Sequence, residues 1–321
     1  MELEMEKDGP KDAPKEASKA APKPAAPARS QAYKPEVALQ FFKSFGKLER
    51  LDAGKPIFVE NEAAGNVFAG GRKMYFLLDG EVELSIARKP IGKVAKGDVF
   101  GEMASISQMP RSATAIAKTA TQVLALDEKQ FVGAMEKSPE FALMLMSVLI
   151  GRVRETVSDL TTGGKLIDED RWNRASIFDR KLLADLQREL EDKPATLHHL
   201  NKVIVKEGDK GIFMYLVVEG VVAISIAEKV VEKIGPGGAF GEIALVDQSQ
   251  RVATATAETD STLLAINRND FMSLVKGKPA FAMALLKALA ERLRFLDSKY
   301  RVVPKLPAKD AAPAKAAPEK K

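Results

Sequence analysis

The chain has 321 residues, a formal net charge of +5 and 45% hydrophobic residues, enough for about two domains with cores of their own. It has no cysteine and only two histidines, the adjacent His198 and His199. A disulfide frame and a thiolate metal site are therefore excluded, and a histidine-rich metal or catalytic centre is not expected. Neighbouring strand residues point to opposite faces, so the histidine pair reads as a surface feature. The longest strongly apolar run, Phe141–Ile150, is too short to cross a bilayer. No leader pattern is present, and the composition is that of a soluble cytoplasmic protein.

In chain order, residues 1–32 are rich in Ala, Pro and Lys, a composition that predicts a disordered tail. A first folded unit is expected over 33–160. Its entry, around Ala63–Arg72, reads as a modified hairpin. Met74-Tyr75, Leu78-Asp79-Gly80 and Val82–Ile86 then read as strands joined by a tight turn. The segment Phe100–Ala115 leads to a further strand, Thr121–Leu126, and a helical pattern over Glu128–Leu160. Residues 161–194 read as a linker. Within it, Ile177, Leu182, Leu183, Leu186 and Leu190 approximate helical spacing, which predicts a helix packed between two domains. A second unit is expected over 195–302, because the same signs return 140 positions later. They are Met214-Tyr215, Val218-Glu219-Gly220, Val222–Ile226, Phe240–Ala255, the strand Thr262–Ile266, and a helical pattern from Arg268 to Lys299. The fold class is α+β, with two antiparallel β-rolls of jelly-roll type, each followed by helices. Residues 303–321 read as a disordered basic tail. Over 301–321 there are six Lys or Arg against two acids, so most of the net charge sits there.

The closest repeat is chemical as well as apolar. Phe100-Gly101-Glu102 and Phe240-Gly241-Glu242 match. So do Arg111 and Arg251, each ten residues after its Gly and each followed at one remove by Ala-Thr-Ala. Packing alone does not call for a Glu and an Arg at matched places. A Gly ahead of a short helical turn lets backbone approach a ligand closely. Amides opening the turn then face bound negative charge, and Arg offers a planar fork for two phosphate oxygens. A carboxylate repels phosphate, so beside one it serves to accept from hydroxyls, such as those of a ribose. The set describes a site for a sugar phosphate of low charge; GxxxxGK[ST], the mark of a triphosphate loop, does not occur.

This block resembles the phosphate-binding cassette of cyclic-nucleotide-binding domains, the family of the catabolite activator protein and of cAMP-dependent kinase regulatory subunits. The resemblance implies that Glu102 and Glu242 take the ribose 2′-hydroxyl and that Arg111 and Arg251 take the cyclic phosphate. It further implies that Gly101 and Gly241 open the turns, with backbone of Met103, Ala104, Ile243 and Ala244 completing the cradle. The second copy has Gln250-Arg251 in place of the usual Pro-Arg. By the same resemblance a base lid comes from outside the roll, with Trp172 for the first unit and Phe295 or Tyr300 for the second. Hydroxyls of Thr156 and Ser158 on the long helix are further candidate base contacts. Ser112 and Val252 follow the cassette arginines. Val252 has no donor or acceptor, which leans the second site toward cAMP, and cAMP is favoured over cGMP overall.

No Arg-Arg inhibitor segment, kinase glycine loop or channel segment occurs, and the tail after Lys299 is too short for a helix-turn-helix domain, so DNA reading is not expected. The reading is a non-enzymatic tandem receptor, needing no cofactor or metal, that signals by conformational change to an effector protein not identified by sequence. A homodimer through the long helices is a further expectation, and cassette resemblance points to a bacterial source. The rival readings are a ligand-free scaffold and a nucleic-acid-associated protein that uses its basic tail.

Overall fold

The computed structural model describes residues 33–62, 72–163 and 176–300, with backbone alone for residues 299 and 300. Both tails, Trp172 and all but the last residue of the hairpin expected at 63–72 lie outside the described residues.

Lobe A runs α1 (Pro35–Phe45), β1 (Lys47–Leu51), β2 (Pro56–Phe58), β3 (Lys73–Asp79), β4 (Val82–Ile86), β5 (Lys89–Val94), β6 (Val99–Phe100), α2 (Glu102–Ser107), β7 (Thr114–Ala117), β8 (Thr121–Asp127), α3 (Glu128–Met135) and α4 (Pro139–Thr162). Lobe B repeats the order. It runs α5 (Arg180–Glu189), β9 (Thr196–His198), β10 (Val203–Val205), β11 (Phe213–Glu219), β12 (Val222–Ile226), β13 (Lys229–Ile234), β14 (Ala239–Phe240), α6 (Glu242–Asp247), β15 (Thr254–Ala257), β16 (Ser261–Asn267), α7 (Arg268–Gly277) and α8 (Pro279–Tyr300).

Each lobe is a roll of two four-stranded sheets. The orders are β1-β8-β3-β6 and β2-β7-β4-β5 in lobe A, β9-β16-β11-β14 and β10-β15-β12-β13 in lobe B. The register repeats too: Tyr75 faces Phe100 as Tyr215 faces Phe240, and Leu84 faces Gly92 as Ile224 faces Glu232. Even the β4–β5 and β12–β13 turns agree. Ala87-Arg88 and Ala227-Glu228 all hold positive φ, the twist that suits a two-residue hairpin. Aromatic stacking of Tyr75 on Phe100 and of Tyr215 on Phe240, each at 5.2 Å between centroids, holds the cassette strand to the roll.

The helical stretches expected over 128–160 and 268–299 are each broken in two. Ser138 and Lys278 adopt φ −143° and −131° before Pro139 and Pro279. A proline disfavours helical geometry in the residue before it, yet suits the first turn of the next helix.

The 176–190 segment was expected between the lobes, but its polar and aromatic contacts run to lobe B. Phe178 stacks on Phe281 at 5.6 Å, and its amide donates to the Gly237 carbonyl. Glu189 pairs with Lys278 at 2.5 Å. It stands to lobe B as α1 stands to lobe A, where Phe41 stacks on Phe141.

The long helices α4 and α8 pack against each other inside the chain, burying Leu145, Leu149 and Val153 on one and Leu285, Leu289 and Leu293 on the other. The helices through which a homodimer was expected thus pack on each other within one molecule. Each helix also reaches across: α8 packs on α2 of lobe A, and α4 on α6 of lobe B. One apolar core accordingly runs from the α1 and α5 ends through both helices.

Candidate functional site

In each lobe a two-residue strand ends on a glycine in the left-handed region, Gly101 at φ 73° and Gly241 at φ 85°. The chain then turns into six helical residues and leaves through Gln108 or Gln248, again left-handed. Both glycines hold a φ that side chains rarely adopt, and a Cβ would be crowded at Gly241 more than at Gly101. A Cβ on Gly241 would lie 2.6 Å from Arg251 Nη1, and one on Gly101 would lie 3.1 Å from Arg111 Nη1.

Those arginines close the loop. Arg111 Nη1 donates to the Gly101 carbonyl at 2.9 Å, and Arg251 Nη1 to the Gly241 carbonyl at 2.9 Å. Arg251 Nη2 also donates to the Phe213 carbonyl at 2.7 Å, while the Arg111 guanidinium lies 4.2 Å above the Phe58 ring. Gly211, which sequence reasoning passed over, makes room for Arg251: a Cβ there would meet its Cζ at 2.7 Å. Both arginines are nearly buried, 6% and 7% exposed. Neither forms an ion pair among the described residues. Burial pulls both guanidinium pKa values down, with Tyr75 and Glu62 opposing it for Arg111, and Tyr215 and Glu242 for Arg251. A buried cation without a carboxylate partner is costly, and an arriving anion relieves that cost.

Glu102 and Glu242 are buried at 1% and 4% exposure. Arg152 Nη1 donates to Glu102, and Arg292 Nη1 to Glu242. Sequence reasoning missed these partners, although they too stand 140 positions apart, in Arg152-Val153-Arg154 and Arg292-Leu293-Arg294. Glu242 Oε2 is buried with no hydrogen-bond partner among the described residues. An acceptor in that state awaits a donor.

In lobe B these groups line a cavity that opens to solvent. Its walls take in Gly241–Ala244, Arg251 and Val252 from the cassette, and Arg292, Phe295 and Leu296 from α8. Val153 and Val157 enter from α4 of the other lobe. Among the described residues no group of three or more metal-type side chains gathers, and no helix is long and apolar enough to cross a membrane.

The domain description "Cyclic nucleotide-binding domain" matches residues 48–138 and 199–278, more than half of the chain. The chain belongs to this family. A "Cyclic AMP receptor protein" of Thermus thermophilus is 38% identical over 106 residues, covering 32% of this chain and 49% of that protein. A "cAMP-dependent protein kinase regulatory subunit" of Debaryomyces hansenii is 27% identical over 213 residues, covering 64% of this chain and 41% of that protein. The chain thus spans half or less of the length of these relatives, which come from a bacterium and a yeast. Among solved structures, "cAMP bound PfPKA-R (141-441)" is 20% identical, covers 76% of this chain and 78% of its own, and has a TM-score of 0.29.

Within the two cyclic nucleotide-binding domains, the base end departs most from the sequence reading. Phe295 lines the lobe B cavity, as a lid residue would. Thr156 is buried on α4, whereas Ser158 is exposed, and the residues of that helix lining the cavity are Val153 and Val157. Tyr300 ends α8, and its side chain is not among those described. Ser112 Oγ lies 3.8 Å from Met103 Sδ in the lobe A cassette. A residue absent from the sequence reading, Glu232 of β13, is 2% exposed, lines the cavity, and accepts from Arg292 Nε at 3.3 Å. Burial pulls the Arg292 pKa down, but Glu242 and Glu232 outweigh it and the net shift is upward.

Proposed function

We propose that the chain is a non-catalytic receptor that binds one cyclic purine nucleotide in each lobe and passes the binding on to an effector protein as a change of shape. The observation that carries it is the pair of buried arginines, Arg111 and Arg251, free of ion pairs among the described residues and each tied to the glycine opening its turn. Arg111 and Arg251 take the cyclic phosphate through two parallel charge-assisted bonds. Glu102 and Glu242 accept from the ribose 2′-hydroxyl; the buried, unmatched Oε2 of Glu242 supports that role. Gly101, Met103 and Ala104 in lobe A, and Gly241, Ile243 and Ala244 in lobe B, supply the close backbone. Phe295, Leu296, Val153 and Val157 form an apolar slot for the base in lobe B.

cAMP is the favoured ligand over cGMP, following the cassette resemblance. Signalling follows from the shared walls. A nucleotide in lobe B touches both long helices, so binding favours one relation of the lobes over others. Ligand at one site then couples to the other, typically by about 1–3 kcal/mol. Calorimetric titration of the full chain with cAMP and cGMP tests the reading. Two sites per chain are expected. No heat and no thermal shift with either nucleotide sinks the receptor and favours the scaffold.

A further inference from the structure

Each long helix carries two arginines with one residue between them, Arg152 and Arg154 on α4, Arg292 and Arg294 on α8. On an α-helix, residues so spaced project about 200° apart, onto opposite sides. The contacts divide accordingly. Arg152 donates to Glu102 and Arg292 to Glu242, each within its own lobe. Arg154 and Arg294 reach the other lobe, Arg154 to the Gln250 carbonyl at 2.9 Å and Arg294 to the Pro110 carbonyl at 2.7 Å. Those carbonyls belong to the residues just before Arg251 and Arg111, the arginines assigned to the phosphate. Equivalent positions in the two cassettes are thus held by equivalent arginines, each from the opposite helix.

The lobe B loop shows how firm the hold is. Arg154 donates to both oxygens of Asp247, from Nε at 2.6 Å and Nη2 at 3.2 Å, and to the Ser249 hydroxyl. Asp247 Oδ1 in turn accepts from the Ser249 amide at 3.2 Å and its hydroxyl at 2.6 Å. One planar fork therefore fixes Asp247, Ser249 and Gln250, the stretch that leads from the α6 turn into Arg251. On the other side, the Arg251 amide donates to the Asp209 carbonyl at 2.8 Å. The arginine of lobe B sits between an anchor in its own lobe and one from lobe A. Val153, between the two α4 arginines, lines the lobe B cavity. Consecutive residues of one helix thus touch the buried glutamate of lobe A and the loop and cavity of lobe B.

We propose that Arg154 and Arg294 are positioning residues supplied across the lobe boundary: each holds the phosphate loop of the opposite lobe in its ligand-ready form, so neither site is complete without the other lobe. The proposal rests on the receptor reading above and names what joins its two sites. A loop held in binding geometry beforehand spares the cost of ordering it when ligand arrives. The test uses the full chain, titrated calorimetrically with cAMP and with cGMP. R111A leaves lobe B as the working site, and R251A leaves lobe A. In the R111A background, R154A is expected to weaken lobe B binding about tenfold, the loss when the ready form of the loop falls to about a tenth of the population. In the R251A background, R154A is expected to leave lobe A binding unchanged, which also shows that the chain stays folded. R294A is expected to give the reverse pattern. A residue that merely stabilises its own helix would harm its own lobe first, so the crossed pattern separates the two roles. Unchanged affinity at the opposite lobe in either variant, or a loss as large at the variant's own lobe, overturns the proposal. If R154A does not fold, R154K, which keeps the charge without the fork, carries the same test, with the loss again confined to lobe B. Absence of binding in both R111A and R251A before either helix is changed overturns the receptor reading itself, and this inference with it.

Discussion

Arg111 and Arg251 are buried and form no ion pair among the described residues, so in the proposed receptor their value lies in what they bind. R111A or R251A is expected to weaken nucleotide binding at its own site by at least about 100-fold, from two charge-assisted bonds lost together. Unliganded stability should shift by no more than about 1–2 kcal/mol, since the lost carbonyl bonds are offset by releasing a desolvated charge. Calorimetry and thermal unfolding of the same samples check both halves. The glycines differ more subtly. Both sit at positive φ, but the Cβ of an alanine would crowd Arg251 Nη1 at 2.6 Å and Arg111 Nη1 at 3.1 Å. G241A should therefore damage lobe B binding more than G101A damages lobe A, and equal losses would show that φ strain alone decides. The cassette residues were legible because polar chemistry repeated at fixed spacing has few other causes. Glu232 was not, because one acid in the strand Lys229–Ile234 reads as an ordinary exposed alternation until the fold turns it inward.

The elements themselves carry local signals. Asp127 caps α3 in a full capping box with Gln130, whereas Asn267 caps α7 by accepting from the Asp270 amide. D127A should cost about 1 kcal/mol in lobe A, read as a lowered unfolding midpoint. The breaks before Pro139 and Pro279 were readable in principle, since proline fixes the residue before it. β9 carries His198, whose pKa is lowered by burial first and Lys202 second. The unfolded chain then takes up the proton before the folded one as pH falls. Stability present above about pH 6.5, the ordinary histidine value, should thus decline below it. H198Q should flatten that part of the stability–pH curve, and an unchanged slope would assign it elsewhere.

At the scale of the whole molecule, one arginine on each long helix ties it to the opposite cassette. Arg154 donates to Asp247 through Nε at 2.6 Å and Nη2 at 3.2 Å, and to the Gln250 carbonyl at 2.9 Å. Arg294, 140 positions on, donates to the Pro110 carbonyl at 2.7 Å. Pro110 and Gln250 are themselves repeat partners, so the clasp is reciprocal. R154A should destabilise the paired lobes by about 1–3 kcal/mol. A double-mutant cycle of R154A with D247A in thermal unfolding checks the contact, and additive losses would remove the clasp from the account.

The sequence by itself determined the two-fold repeat, the roll-then-helix order and the cassettes with their Gly, Glu and Arg. Those features depend on local turn geometry and on strand alternation, which neighbours along the chain dictate. Tertiary structure alone decided that the long helices pair within one chain, that α5 belongs to lobe B, and that Val153 and Val157 of one lobe wall the cavity of the other. These outcomes rest on apolar faces. An apolar face carries no address: burial rewards any complementary surface, and only the folded chain shows which one each helix found.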